Sequence, residues 1–485
     1  MISPPRSWAQ TATALAALLF LSGCMTVGPD YEAPEIQTPD LWSEQVSEQV
    51  SAGEHADLQS WWKVFDDPKL ESLIEQARNE NLHLKQAISR IYQSRAMLAI
   101  ARGEKYPVVD LDANISQSKL SDDGPLREVV PPNGFKSQNL FQLGIDAMWE
   151  LDIFGRVTRQ IESADAAYDA TVEDYRDVLV TLLADVAFTY VDIRSAQQQI
   201  VYAKQNAKEQ KDSLALTEER YSTGLCSKLD VVQATANLEG TLASIPQYEL
   251  MLIQALNRLA VLMGQDAGTL QKEFSEPGPI PKATTAIGIG VPANVLRQRP
   301  DVRRAERQLA AQTAQIGVAT ADLYPSFGLS GAFSLQSNSL STLLDSSSVT
   351  WGLGAPMQWN IFSGGQVRGN IQVQTERTHE MLLKYQQTVL NAIEEVENAI
   401  SGYDLSQTTT QHLKASVTST AEAVDLVLVQ YNSGLTDFNN VLVTQRDLFT
   451  QQSRWASSEA QTTMNLIALY KALGGGWDLN ENPAK

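Results

Sequence analysis

The chain contains two copies of one sequence pattern, and this repeat limits the folds open to it. Tyr221 begins the segment YSTGL, and Tyr431 begins YNSGL at an offset of 210 residues. The match continues without a gap to Gly264 in the first copy and Gly474 in the second. A linker rich in proline and glycine, near 277–292, separates the two copies. Self-similarity at a fixed offset predicts two structural units of the same kind.

Each copy contains an unusually long helical pattern. In the first copy apolar residues recur every three or four positions, and no proline interrupts the chain from about Gly155 to Tyr221. These roughly 67 residues would extend about 100 Å as an α-helix. The second copy repeats the pattern from about Gln366 to Tyr431. Because such long helices need partner helices to cover their apolar stripe, the sequence predicts packed helical hairpins.

The repeated motif is where each long helix is predicted to turn back. Gly224 and Gly434 fit the left-handed residue that ends a helix. Ser227 and Asp437 can cap the following helix, and Ser227 with Asp230 resembles a capping box. One interpretation is a coiled-coil architecture alone. The functional interpretation is that these tips form a docking surface and close a pore.

Between the helices the sequence period changes from 3.6 to 2. Four segments, near 110–115, 141–153, 326–336 and 351–361, alternate apolar side chains with Asp, Asn, Gln, Ser and Gly, and the last three contain more than ten residues each. Their length and alternation are typical of transmembrane β-strands, which turn an apolar face to lipid and a polar face to water. A soluble sandwich would point the apolar face inward, and periodicity alone does not separate the two.

Four such strands cannot complete a membrane structure alone. The smallest usual barrel has about eight strands, and lipid does not tolerate unpaired strand edges. Copies of the chain must therefore share one barrel. Two copies would give about eight strands around a filled interior, and three would give about twelve around a lumen. The sequence predicts an oligomer but does not determine the number of copies in it.

The N-terminus predicts export and lipid attachment. Arg6 precedes an apolar run from Ala12 to Leu21, which is too short to span a bilayer. The small residues before Cys24 resemble the lipobox of bacterial lipoproteins, which implies cleavage before Cys24 and acylation of its thiol; the alternative is an ordinary signal peptide. Several acyl chains would anchor the N-terminus stably. Met25, rather than Asp, implies sorting to the outer membrane.

Composition disfavours an enzyme and a nucleic-acid binder. The chain has 37 Lys and Arg against 57 Asp and Glu, a net charge of −20, whereas phosphate binding needs a basic surface. The acidity fits either a solvated surface or an acidic pore lining. Two cysteines and four histidines exclude a disulfide scaffold and a Cys/His zinc module. No nucleotide-binding, serine-hydrolase or metalloprotease motif occurs. We therefore expect no catalytic residue, no metal and no cofactor besides the lipid on Cys24.

Three motifs in the same order resemble those of a known family. Arg297 begins RQRPDVRRAE, which resembles a family signature that opens a helix. Trp149 begins WELDIFGR, similar to the family's strand-to-helix junction, and Ile361 begins the counterpart IFSGG. The family is that of the outer membrane factors, the TolC-like efflux ducts, and the chain is most similar to their lipoprotein branch, the NodT type. The resemblance covers essentially all of the mature chain.

The resemblance implies a mainly α protein with membrane β-structure. In this family a homotrimer forms a twelve-stranded outer-membrane β-barrel, with four strands per protomer, continued by a long periplasmic α-helical barrel. The implied function is the outer-membrane channel of a tripartite efflux system in a Gram-negative bacterium. Such a channel is a passive conduit that exports small molecules, such as drugs or solvents, from an inner-membrane pump through a periplasmic adaptor. The alternatives are a duct for protein or peptide secretion and a structural surface lipoprotein with a helical stalk.

The same resemblance assigns candidate roles at the helix tips. The candidate adaptor-docking residues are Tyr221, Thr223, Gly224, Leu225, Tyr431, Ser433, Gly434 and Leu435. Some members close the pore with an Asp ring beside a Leu and an Arg. Carried onto this chain, the pore gate is Asn439, Val443 and Arg446, whose spacing places them on one helix face. Arg446 matches the family, but Asn439 replaces the Leu and Val443 the Asp, which favours a narrow apolar closure over a cation-binding ring.

The predicted segments follow the repeat. In chain order they are a lipoprotein signal peptide (1–23), a lipid-anchored N-terminal extension (24–68), a helix of the first repeat (69–105), two barrel strands (106–154), a long helical hairpin (155–265), a linker (266–294), a helix of the second repeat (295–323), two further barrel strands (324–363), a second long hairpin (364–474) and a C-terminal tail (475–485).

Overall fold

A computed structural model gives the fold of the chain. It describes residues 25–35, 42, 50–51, 58–125, 127–129, 131–283, 287–288 and 292–478. The predicted signal peptide and Cys24 lie outside the described residues. The chain divides into two compact units, each assembled from three stretches. Among the described residues, the first unit contains those of 25–34, 93–169 and 306–383, and the second contains those of 35–92, 170–305 and 384–478.

Helices and strands alternate in the order that the repeat predicts. The principal helices are α1 (Pro68–Glu80), α2 (Leu82–Gly103), α3 (Arg156–Ser222), α4 (Lys228–Leu262), α5 (Pro292–Gln298), α6 (Pro300–Ala321), α7 (Gln366–Asn432) and α8 (Phe438–Ala472). The strands of the main sheet are β1 (Val108–Ser118), β2 (Gln138–Leu151), β3 (Ser326–Ser337), β4 (Val349–Gly354) and β5 (Met357–Gln358). A two-residue parallel pair joins Val50–Ser51 to Ile287–Gly288.

The two long hairpins have matching dimensions. α3 and α7 each contain 67 residues, which confirms the helix length predicted from the sequence. α4 and α8 each contain 35 residues. A helix of 67 residues extends about 100 Å. Within the part of the chain that the structure describes, no helix is both long and apolar enough to span a membrane.

Each shorter helical segment was predicted as one helix, and this prediction is wrong in both copies. In the first copy α1 and α2 are separated by Asn81, whose side-chain amide donates to the Leu262 carbonyl at 2.7 Å. In the second copy α5 and α6 are separated at Arg299, because Pro300 has no N–H to continue a helix. α5 also begins at Pro292, inside the segment predicted as linker.

The Arg299 side chain explains the local role of the signature motif. Its guanidinium forms two hydrogen bonds with the Asp301 carboxylate, at 3.0 and 2.8 Å, and a third with Glu395 at 2.6 Å. Arg299 Nη1 also donates to the Ala472 carbonyl at 2.6 Å, which satisfies an acceptor at the end of α8. Arg299 is buried, so these bonds hold the C-terminal end of one helix against the start of another.

The main sheet is antiparallel in the order β1–β2–β3–β4, with β5 beside β4 on β3. Its register places apolar side chains in rows across the strands. One row contains Leu111, Ile145, Phe333 and Trp351 as directly paired residues. All four are exposed in the protomer. One sheet face is therefore continuously apolar, as the alternation predicted.

The fourth predicted strand is interrupted. The segment near 351–361 was predicted as one strand, but it forms β4 and the two-residue β5 instead. Pro356 lies between them and cannot donate to the ladder. Its carbonyl accepts from the Gly328 amide at 2.8 Å, so the segment stays attached to β3 across the interruption.

Candidate conduit lining and helix tips

The sheet face opposite the apolar rows is polar and acidic. Asp110 pairs directly with Asp146, and the next row on this face joins Asp112, Gly144 and Ser334. The sequences of the five strands contain Asp and Glu but no Lys or Arg. A surface lined by one sign of charge raises the local concentration of counter-ions. This face therefore suits a water-filled passage that favours cations.

One tryptophan in each copy makes the same hydrogen bond at the equivalent position. The Trp149 indole N–H donates to the Lys105 carbonyl at 3.0 Å, and the Trp359 indole N–H donates to the Leu323 carbonyl at 3.0 Å. Both acceptors directly precede a Tyr-Pro pair. The repeat thus extends to individual hydrogen bonds, and the indoles have the amphipathic character of an interfacial aromatic belt.

The WELDIFGR motif builds the junction from β2 to α3. Asp152 accepts from the amides of Val157 at 2.9 Å and Thr158 at 2.8 Å, so it satisfies donors at the start of the helix. The Arg156 guanidinium forms a bidentate pair with Glu150, at 2.8 and 2.7 Å. The motif therefore fixes the direction in which the chain leaves the sheet.

The residues just after Cys24 are attached to this junction. The Val27 amide donates to the Phe154 carbonyl at 3.1 Å, and Arg159 Nε donates to the Val27 carbonyl at 3.1 Å. Gly155 has φ +78°, and a Cβ there would lie 2.6 Å from the Thr26 side chain. Only glycine allows the N-terminal segment to lie this close to the turn.

An acidic pocket of about 250 Å³ lies beside the same junction. Its lining includes Glu150, Asp152, Asp322 and Arg156. Burial raises the pKa of the Asp322 carboxyl; the Arg156 charge opposes that rise and the Glu150 charge adds to it. Among the described residues, no cluster of His, Cys, Asp and Glu has the geometry of a metal site.

Both helix tips close with the same backbone motif. Leu225 N donates to the Arg220 carbonyl at 2.8 Å, and Gly224 N donates to the Tyr221 carbonyl at 3.0 Å. Leu435 and Gly434 repeat these two bonds in the second copy at the same distances. The pattern is that of a Schellman motif, and both glycines have φ +74°. The predicted left-handed residues are confirmed.

The helices that leave the tips are capped differently. Ser227 accepts from the Asp230 amide, and Asp230 accepts from the Ser227 amide at 2.9 Å, which confirms the predicted capping box. Asp437 occupies the N-cap position of α8, but its side chain forms no cap hydrogen bond, so its predicted capping role is wrong.

The predicted docking residues differ in accessibility. Thr223 and Ser433 are exposed, Leu225 is 68% exposed and Leu435 is 78% exposed. Tyr221 is 44% exposed, whereas the equivalent Tyr431 is only 4% exposed. Tyr431 packs against Phe438 in a cluster shared with Ala234 of α4. Tyr431 is thus a core residue that joins the two tips, and the prediction that it contacts a partner is corrected.

The three predicted gate residues share one exposed side of α8. Asn439 and Arg446 are exposed, and Val443 is 48% exposed, while the adjacent Val441, Leu442 and Gln445 are buried. No described residue forms an ion pair with Arg446. The structure therefore places the gate candidates where a neighbouring copy or the pore axis could meet them.

Sequence reasoning missed two contacts of the tips. Arg220 lies over the Tyr431 ring, and buried amides line the contact between α3 and α8. A basic residue in the last turn of α3 was the available signal for Arg220, because such residues interact with helix C-termini. The buried amides gave no signal, since polar residues at helical spacing also fit a solvated surface.

Comparison with known proteins decides the family. The model of the outer membrane efflux protein family matches the chain twice, at residues 73–265 and 291–475. The chain belongs to the outer membrane efflux protein family. The double match covers more than half of the chain and coincides with the internal repeat, so each half of this efflux protein corresponds to one copy of the family pattern.

Curated relatives and a solved structure agree with this membership. Nodulation protein T of Rhizobium leguminosarum bv. trifolii is 32% identical over 460 residues, covering 95% of this chain and 96% of that protein. Toluene efflux pump outer membrane protein TtgI of Pseudomonas putida is 29% identical over 475 residues, covering 96% of this chain and 98% of that protein. The structure of the outer-membrane channel OprN matches with a TM-score of 0.86 and 34% identity, covering 93% of this chain and 99% of that one.

Membership settles the architecture and the general function. The chain is one protomer of a trimeric outer-membrane channel, with four strands contributed to a shared twelve-stranded barrel and long helices in the periplasm. It is the outer-membrane component of an efflux system in a Gram-negative bacterium. Channels of this family work with adaptor proteins and inner-membrane pumps.

Proposed function

We propose that this channel is the passive outlet for small molecules, without chemistry of its own. The proposal rests on the polar, acidic sheet face, which offers water and negative charge to a passing solute. The TtgI relative is named for toluene efflux, which favours small molecules over polypeptides as cargo. Cationic amphipathic compounds suit an acidic lining best.

The adaptor docks on the exposed parts of the two tips. Leu225 and Leu435 are exposed apolar side chains on Schellman turns. Tyr221 and Thr223 are exposed in the same turn as Leu225, and Ser433 is exposed in the same turn as Leu435. Gly224 and Gly434 supply the turn geometry rather than side-chain contacts. A short apolar anchor inside a polar rim is the usual anatomy of a protein interface.

The resting pore closes at the level of Val443. Three copies of an exposed valine would narrow and dry the passage without a carboxylate ring. Asn439 lies one turn nearer the tip, and Arg446 lies one turn beyond. Arg446 has no ion pair within the described residues of its own protomer, so it is free to bond to an acidic or amide group of a neighbouring copy.

Cys24 carries the lipid that anchors each protomer. Met25, Thr26 and Val27 follow it directly, and Val27 is bonded to the β2–α3 junction. The acyl chains would then enter the membrane at the level of that junction. Metabolic labelling with palmitate tests this: wild type should be labelled and Cys24→Ala should not, while both remain in the outer membrane. Equal labelling of both would place the lipid elsewhere.

Deletion of the gene in its own host tests the proposed function. Resistance to drugs or solvents should fall and be restored by the wild-type chain, provided that other outlet proteins are absent. Unchanged resistance would reject the small-molecule outlet, and a selective loss of secreted polypeptides would favour the secretion duct instead. Leu225→Glu combined with Leu435→Glu should restore little resistance. Leu340→Glu, which alters a comparably exposed leucine between β3 and β4, should restore it fully.

A further inference from the structure

Four buried positions of α3 near its tip are polar. Asn206, Gln210, Ser213 and Thr217 recur at spacings of four, three and four, the pattern of residues that face a partner helix. Each is buried, with 7% exposure or less. Buried positions at this spacing are ordinarily apolar in packed helices. The four polar residues therefore interrupt the apolar face of α3. We call this contact and its α8 partners the amide seam.

Two hydrogen bonds align the amide seam with α8. Asn206 Nδ2 donates to Gln452 Oε1 at 2.6 Å, and Gln445 Nε2 donates to Ser213 Oγ at 2.8 Å. The helices run antiparallel, because the partner number falls by seven as the α3 number rises by seven. This alignment places Gln210 opposite Leu448, between the two bonded layers.

The amide seam leaves buried polar atoms unbonded. Both Gln210 Nε2 and Oε1, and also Gln445 Oε1, have no hydrogen-bond partner among the described residues. Gln210 and Gln445 are each 3% exposed. A buried amide without a partner loses its hydration and gains nothing in return. The resting alignment therefore does not use the full bonding capacity of its own side chains.

The polar run of α3 that forms the amide seam is not repeated on α7, its equivalent in the second copy. At the repeat offset, the α7 residues equivalent to those of α3 are Ser416, Thr420, Ala423 and Val427. None of them is an amide. The seam instead borders α8, the helix that also bears Asn439, Val443 and Arg446. A polar contact with spare bonding capacity thus lies beside the helix assigned to the gate.

A second alignment would use those spare groups. If α8 moves toward its own N-terminus by four residues, Gln452 comes opposite Gln210 and Gln445 comes opposite Thr217. The movement is about 6 Å, roughly one helical turn. A three-residue movement the other way would pair Gln445 with Gln210 but leave Gln452 opposite Ala203. Only the first shift keeps both glutamines opposite polar partners.

We propose that the amide seam is a slip contact with two bonded alignments, through which α8 shifts by about one turn along α3 when the tip opens. At the amide seam, exchange of amide partners lowers the cost of sliding, whereas an interdigitated apolar contact at this place would resist it. One-turn steps between packed elements are a known form of switching. The inference rests on the proposed function, because it assigns the movement to the opening of the conduit.

Apolar substitution of the amide seam tests the proposal. Gln210→Leu with Gln445→Leu should raise the thermal unfolding midpoint by a few degrees and lower resistance toward that of the deletion strain. Ser213 keeps its bond to the Glu209 carbonyl in this variant. The matched control, Gln205→Leu, changes an exposed amide of α3 and should leave export unchanged. Full resistance in a properly assembled double variant would overturn the slip contact.

Cysteine pairs report the two alignments directly, in a Cys226→Ser background. Ser213→Cys with Gln445→Cys should form a disulfide on oxidation of the resting channel. Gln210→Cys with Gln452→Cys should form one only in cells that are exporting. Failure of the second pair during export would overturn the proposal. Failure of the wild-type chain to restore resistance would instead reject the proposed function, so the two failures are distinguishable.

Discussion

The guanidinium of Arg220 lies over the ring of Tyr431, with 4.5 Å between Cζ and the ring centroid. Its Nη1 also donates to the Tyr431 carbonyl at 2.9 Å. One side chain of α3 therefore binds both the ring and the backbone at the end of α7. Burial raises the pKa of the Tyr431 phenol, so the ring beneath the cation stays neutral. This contact ties the two tips of a protomer together.

Loss of the Arg220 cation should loosen the tips. Arg220→Met keeps much of the apolar stem but removes the cation–π contact and the hydrogen bond, together about 1–3 kcal/mol. We expect a lower thermal midpoint and a higher conductance of the purified channel in planar bilayers. Arg220→Lys keeps the charge, so its thermal midpoint and conductance should lie between those of wild type and Arg220→Met. Equal conductance of wild type and Arg220→Met would show that the tips close without this contact.

Replacement of Arg446 should open the closed channel. Arg446→Ser removes an exposed cation without disturbing the buried side of α8, so its effect reports contacts between copies. The single-channel conductance should rise relative to wild type. Arg454→Ser changes another exposed arginine of the same helix and should have little effect. If Arg446→Ser conducts like wild type, Arg446 takes no part in the closure.

The acidic sheet face should set the ion preference of the channel. Asp110→Asn with Asp146→Asn removes two directly paired carboxylates. The reversal potential in a potassium chloride gradient should then shift toward lower cation preference. The difference in reversal potential between wild type and the double variant should shrink at high salt, because the Debye screening length falls to about 3 Å at 1 M. Asp345→Asn, outside the strands, is the control, and an unchanged reversal potential in the double variant would place selectivity elsewhere.

Tyr190 makes the stability sensitive to alkali. Its hydroxyl donates to Asp67 Oδ2 at 2.7 Å, and burial raises its pKa to about 12. A raised pKa in the folded state stabilises the protein fully below the ordinary value near 10, and this contribution is lost as pH rises through about 12. Tyr190→Phe should flatten the decline in unfolding free energy over that range. Identical declines in denaturant titrations of both proteins would assign the effect to other groups.

The repeated features were the most predictable part of the fold. The absence of proline and a regular apolar stripe gave both long helices to within one or two residues. Glycine at Gly224 and Gly434 gave the tip geometry, because the left-handed region admits few other residues. The alternation of apolar and polar residues correctly predicted three of the strands and the apolar face of the sheet. These are local signals, and each depends on the backbone of a few neighbouring residues.

Features that depend on tertiary partners escaped prediction. Asn81 caps the start of α2 by accepting from the Leu84 amide, and its own amide also donates to the distant Leu262 carbonyl, a partner that no local pattern encodes. Tyr221 and Tyr431 occupy equivalent positions of the repeat, yet only Tyr431 contacts Phe438 and Arg220. The amide seam was missed for the same reason, since Gln210 resembles a surface residue until α8 covers it.

Each chain is an incomplete segment of a wall, and only neighbouring copies complete it. Electron cryo-microscopy of the detergent-extracted full-length protein would show this arrangement. We expect three copies around one continuous lumen, with the β1 edge of each copy paired to the β4 edge of the next. A folded single copy whose sheet closes on itself would contradict it.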